Sequence, residues 1–118
     1  MPQYLISLDA HAMDHIPDED MPAVDEAAHA VVKEALKAGV WVLGGRLEDQ
    51  RASIVATDGS VTDGPYPEAI GGFCFVDVAS HEEALAWAAK FAVACRCTQE
   101  VREFGPDPLA ANWSATST

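Results

Sequence analysis

The rhythm of apolar and polar residues changes several times along the chain, and each change marks an element. Residues 3–9, QYLISLD, form a short, mostly apolar run ending on a charge, which reads as a strand. The stretch that follows, AHAMDHIPDED, is acidic and has no period, so it reads as a loop. Asp20 and Pro22 then supply a helix-capping side chain and a first-turn proline. Beyond them Val24, Ala28, Val31, Val32, Ala35 and Leu36 recur at helical spacing, one apolar face of a helix that ends at Gly39. VWVLGG opens a second strand near residues 40–47, and SIVAT and SVT flank Asp58-Gly59 as a hairpin with a favoured turn pair. GFCFVDV is a further strand. Ser80-His81-Glu82-Glu83 is a capping box opening a helix that runs through ALAWAAKF to about residue 92. TQEVREF gives a last strand.

The order strand, helix, strands, helix, strand predicts an α+β fold of the ferredoxin-like, split βαβ kind, an antiparallel sheet with two helices on one face. VWVL and FCFV are apolar at every position instead of alternating, which requires both faces of those strands to be covered. Two helices cover one face. The other is expected to be covered by a second copy of the chain, in a homodimer packed sheet to sheet, with a cleft where helix meets sheet.

Charge narrows the function classes. The 118 residues carry 19 Asp and Glu against 7 Lys and Arg, a net −12. Such a field repels phosphate backbones and anionic membranes, so neither nucleic acid nor membrane is an expected partner. A protein partner remains compatible with it. The N-terminal MPQYLISLD has no basic start or apolar core of a secretory leader, and no apolar run is long enough to span a bilayer. Three cysteines read as a reducing, cytoplasmic setting. Cys95 and Cys97 form a CxC pair, but nothing near them completes a four-ligand zinc set, and they read as structural. His11 and His15 sit at H-x3-H spacing in a loop closed by Pro17, and read as solvated, with no third ligand. His81 lies inside the capping box and is expected to be exposed. No metal and no cofactor motif is recognised: there is no GxGxxG and no P-loop.

The candidate chemistry lies in Asp9, at the end of the first strand, and His29, in the middle of the first helix. Helical geometry puts His29 about 140° from Val24, on the shoulder of the apolar stripe beside Leu36. From there it can turn under the helix toward the sheet. An Asp9 carboxylate accepting from one imidazole nitrogen would fix the other as a base, machinery for moving a proton on a small molecule. The plain alternative is a surface pair between His29 and Asp25, one turn earlier.

Residues 62–73, TDGPYPEAIGGF, carry more turn punctuation than a connection needs. Asp63 and Gly64 can turn the chain, Pro65 and Pro67 stiffen it, and Gly71-Gly72 lets the backbone re-enter a crowded sheet. Tyr66 and Glu68 would offer a hydroxyl and an acid at a pocket mouth. Together with Gly39, Gly44-Gly45, Leu47, Glu82-Ala84-Leu85, Trp87-Ala88 and Glu100-Val101-Arg102, the segment resembles the YCII-related family, in its branch with an Asp-Gly-Pro-Phe motif. Here Tyr66 stands in place of the usual Phe, Pro67 in place of a small residue, and the stretch before Gly71 is shorter. Residues 1–104 read as that domain and 105–118 as a C-terminal arm or frayed tail.

The resemblance implies a dimeric α+β barrel similar to muconolactone-isomerase-type proteins, and an Asp-His active site at Asp9 and His29. It also implies two kinds of activity. One is a cofactor-free small-molecule isomerase or lyase, for which the residues themselves offer Arg46 and Tyr66 as candidates to hold an anionic or phenolic substrate, with Glu68 beside them. The other is a non-catalytic regulatory or binding accessory, such as a companion of an extracytoplasmic-function sigma factor.

Overall fold

A computed structural model describes residues 2–47, 52–64 and 69–105 of the chain. Its elements are β1 (Gln3–Asp9), α1 (Met21–Ala38), β2 (Trp41–Arg46), β3 (Ser53–Val55), β4 (Val61–Asp63), β5 (Ile70–Asp77), α2 (His81–Cys95) and β6 (Glu100–Glu103). A single 3-10 turn, Asp18–Asp20, leads into α1. β1, β2, β5 and β6 form one antiparallel sheet in the order β2-β5-β1-β6, and β3 pairs with β4 as a separate hairpin. β5 thus lies between β1 and β2, the two strands that α1 connects. This is the expected ferredoxin-like α+β arrangement, carrying a hairpin arm between β2 and β5.

Alternation along β1 and β5 divides the sheet's two faces. Tyr4 lies opposite Val76 and Ile6 opposite Cys74, and all four are buried in a core with Val31, Ala84, Ala88, Phe91 and Ala94 from the helices. Burying a side chain of this size contributes about 1.5–3 kcal/mol each, so this layer holds the helices down. The intervening residues face the other way. Leu5 lies opposite Phe75 and Ser7 opposite Phe73; Phe75 meets Phe73 at 5.9 Å and Phe104 at 5.2 Å between ring centroids, both edge to face. That second face carries no helix; its Leu5, Phe73 and Phe75 are half-exposed, while Ser7 is buried.

Local chemistry explains where the elements begin and end. Ser80 is extended, and its hydroxyl accepts from the Glu83 amide at 3.2 Å, so the capping box forms as expected. Asp20 does not cap α1. It is itself helical, closing the 3-10 turn, and its carboxylate accepts instead from Arg96 Nη1 at 3.0 Å. That contact ties the start of α1 to the end of α2. α2 runs to Cys95, beyond the expected end, and closes on Arg96 in the left-handed region with φ 57°. The Asp58-Gly59 turn also differs from expectation. Gly59 alone of the pair has positive φ, at 88°; its amide donates to the Ala56 carbonyl and the Ala56 amide to the Ser60 carbonyl. The result is a three-residue loop with a glycine bulge, stabilised by Asp58 accepting from Ser60. Leu36, placed on the apolar stripe by its spacing, is 58% exposed. At about 120° from Val24 it lies past the edge of the sheet-facing arc.

β2 contains a bulge. Trp41 pairs with Val76 and Leu43 with Phe75, so one residue of β2 is extra. After it Gly44 lies against Cys74, where a side chain has no space: a Cβ on Gly44 would overlap Cys74 Cβ and come 2.7 Å from the Phe73 carbonyl oxygen. Gly44→Ala is therefore expected to lower stability by about 1–3 kcal/mol, as overpacking in a core does. Urea unfolding followed by circular dichroism checks this; an unchanged midpoint would mean that β2 and β5 separate freely at this point.

Candidate functional site

The helices do not cover their face of the sheet completely. Between α1, β2, the start of β5 and the loop after β1 lies a cavity of about 690 Å³, within the range of small-molecule sites. Its wall is built by alternation and helical spacing. Ile6 and Leu8 come from β1, Trp41 from β2, Val24, Ala28 and Val32 from α1, and Phe91 from α2. Met13 and Ile16 close it from the loop, and Ile16 is buried there, in an otherwise acidic segment. Gly71, Gly72 and Cys74 bring β5 to the wall, and Cys95 the last turn of α2.

The polar rim comes from the same flank of α1 that carries Val32. Asp25 and His29, one helical turn apart, both line the cavity and share a face. Arg46 reaches them from β2: its Nη2 donates to Asp25 Oδ1 at 2.8 Å. Arg46 points inward because of the β2 bulge. Trp41 and Arg46 are five positions apart, so strict alternation would put them on opposite faces; the extra residue puts both on the helix side. The ion pair is half-exposed, 59% for Arg46 and 47% for Asp25, and contributes about 0–1 kcal/mol to stability. Its effect is on shape and charge at the mouth. Asp14 and Asp18 complete the rim, Asp14 being engaged by His11 Nδ1 at 2.9 Å.

The expected residues separate here into groups. His29 and Arg46 line one cavity with Gly71 and Gly72. Asp9 does not join them. Leu8 faces the cavity, so Asp9, the next residue, faces away, and its Oδ2 accepts from the His11 amide at 2.9 Å. The Asp9–His29 pair is not formed, nor is the alternative with Asp25, which is taken by Arg46. His29 is exposed and has no hydrogen-bond partner among the described residues. Asp63 ends β4 opposite Ser53, and the Gly64 amide donates to the Ala52 carbonyl at 2.9 Å; both serve the hairpin arm and not the cavity wall. Pro65, Tyr66 and Glu68 lie outside the described residues.

Sequence reasoning missed Trp41, Phe91, Met13 and Ile16 as wall residues, and Asp25 as the partner of Arg46. Met13 and Ile16 gave a signal, two apolar residues three apart within an acidic loop. For Asp25 the signal was its shared helix flank with His29. The two cysteines at the wall are inert at neutral pH. Burial, with a smaller contribution from Cys95, pushes the Cys74 thiol up to about 12, and burial raises Cys95 as well. Among the described residues no group of three or more potential ligands gathers to hold a metal ion, and no helix is long and apolar enough to cross a membrane.

The YCII-related domain matches residues 10–104. The chain belongs to the YCII-related family. The matched segment of this YCII-related protein starts at the loop that closes the cavity and ends just past β6, so it includes every helix and most of the sheet. No curated protein matches the chain.

The buried thiol gives a pH prediction. The unfolded chain releases the Cys74 proton from its ordinary value of 9.0, the folded chain only near 12. The folded state then holds more protons across that window, so stability is complete below pH 9 and falls as pH rises toward 12, by up to about 1.4 kcal/mol per pH unit for one group. Urea midpoints between pH 8 and 10.5 are expected to fall less steeply in Cys74→Ala than in the wild type. Equal slopes would show that another group controls the alkaline loss.

Proposed function

We propose that this YCII-related protein binds a small organic molecule in the cavity under α1 and moves a proton on or off it, without a bound cofactor. One observation carries the reading: a cavity of about 690 Å³ with an apolar wall has a histidine at its mouth, beside an arginine–carboxylate pair. Imidazole is suited to general acid–base transfer near neutrality. In this reading His29 takes a proton from an acidic C–H or O–H of the ligand and returns it, or loses it to solvent, as the ligand isomerises or eliminates a group. The role first assigned to an Asp9–His29 pair passes to His29 alone. Arg46 and Asp25 shape the mouth, while Tyr66 and Glu68 are assigned to contact the ligand.

A binding accessory without turnover, regulatory in role, is the second reading. It is favoured by the exposure of His29 and its lack of a hydrogen-bonding partner among the described residues. In either reading we place the protein in the Asp-Gly-Pro-Phe branch, supported by Thr62-Asp63-Gly64 at the end of β4 and Gly71-Gly72 in β5. Its free thiols support a cytoplasmic setting. We further propose a homodimer through the open sheet face, supported by Leu5, Phe73, Phe75 and Phe104 forming a half-exposed apolar layer without a helix.

Incubating wild type and folded His29→Ala with a metabolite extract, then comparing compounds by mass spectrometry, separates the two readings. Loss of a compound with wild type alone is expected and would identify the substrate. No change with either protein, or the same change with both, removes His29 from catalysis and leaves the accessory. The dimer is tested by sedimentation: wild type is expected at twice the 12.6 kDa chain mass, and Phe75→Asp at the chain mass. A monomeric wild type at micromolar concentration would sink the sheet-to-sheet assembly.

A further inference from the structure

We infer that the cavity selects an uncharged molecule with an apolar body and discriminates against anions; this rests on the cavity being the ligand site proposed above. Arg46 is the only Lys or Arg among the described residues that line it, and Asp25 already engages that guanidinium at 2.8 Å. An anionic ligand reaching the remaining donors of Arg46 would meet the Asp25 carboxylate beside them. Asp14 and Asp18 stand at the same rim, and the whole chain adds a net charge of −12. With Arg46 offset by Asp25, the remaining charges at the mouth oppose a carboxylate, sulfonate or phosphate.

Deeper in, the wall offers no ionic partner of either sign. Ile6, Val24, Val32, Trp41 and Phe91 are apolar. The thiols of Cys74 and Cys95 are kept protonated by burial. A ligand body entering here loses water and meets no charged partner, which excludes a charge at that end. What remains is a molecule that is neutral when it binds, its one reactive C–H or O–H directed to His29 at the mouth.

Two dyes with the same skeleton test this. N-phenyl-1-naphthylamine is uncharged, and 8-anilino-1-naphthalenesulfonate adds one sulfonate. Each is titrated into the full chain at pH 7.5 and low salt, following dye fluorescence. Wild type is expected to bind the uncharged dye about tenfold or more tightly than the sulfonate. Asp25→Asn, which frees Arg46, is expected to improve sulfonate binding about 3- to 10-fold and leave the uncharged dye unchanged, as removal of one nearby charge does. Ala28→Phe and Val32→Phe, which fill the cavity without altering charge, serve as independent blocking variants, each checked for a native melting curve.

Sulfonate binding as tight as that of the uncharged dye, at a site that both blocking variants remove, overturns the charge selection and leaves the ligand site intact. An Asp25→Asn variant with unchanged sulfonate affinity also overturns it. Binding of neither dye, or binding that a folded blocking variant does not weaken, overturns the ligand-site reading itself and the inference with it.

Discussion

The ladder between β1 and β5 pairs Gln3 with Asp77 at one end and Asp9 with Ile70 at the other, and it dictates what each side of the molecule is made of. Because side chains alternate, it sends Tyr4, Ile6, Cys74 and Val76 to one face and Leu5, Phe73 and Phe75 to the other. A slip by one residue would exchange the two sets. The first set has two helices to pack against, and the second has none. Both the cavity under α1 and the open aromatic layer descend from this single registration, one as the gap the helices leave, the other as the face they never reach.

The helix layer is held unevenly. Close packing is possible where α1 and α2 present small residues, with Ala84, Ala88 and Ala94 of α2 fully within the core. Arg96 and Asp20 then join the end of α2 to the entry of α1 at the surface. Toward Met21, Val24 and Ala28, α1 faces strand ends poor in side chains, with Gly71 and Gly72 opposite. A Cβ at Gly71 or Gly72 would come about 3.0 Å from backbone atoms of the chain beside it, so glycine lets β5 lie close to its neighbours here. The cavity wall is made by Ile6, Leu8 and Trp41 on the sheet side and by α1 on the other, a suitable setting for holding a small molecule in one orientation.

Much of this was legible in the chain, and the residues show why. Strand and helix periods are properties of the sequence, so the strand at residues 3–9, Val24, Val31 and the Ser80 cap could be placed from the chain alone. The order of elements then left one economical topology. What escaped was how single residues are turned, by alternation along a strand or by one residue's backbone angles. Asp9 was assigned to the ligand side, but it follows Leu8, and alternation turns it outward. Asp20 has the side chain of a cap but a helical backbone, so its carboxylate was free for Arg96. Asp58-Gly59 looks like a two-residue turn, yet only the glycine takes positive φ. Such choices are made by a few tenths of a turn of backbone, settled by tertiary packing and not by local propensity.

The extra residue in β2 has an implication for how this fold can diversify. Upstream of the bulge, odd positions of β2 look at the helices; downstream, even ones do. Pairing the same six residues regularly, with no extra residue near Val42, would shift the reading frame of faces, sending Arg46 to the open side of the sheet and bringing its neighbour inward. The charge at the cavity mouth is therefore inherited from the bulge as much as from residue identity. Insertions in the hairpin arm, which pairs only with itself among the described strands, leave that frame untouched. Two relatives with an arginine at the end of this strand can thus have different mouths, if one lacks the bulge. An alignment by residue type alone would miss the difference.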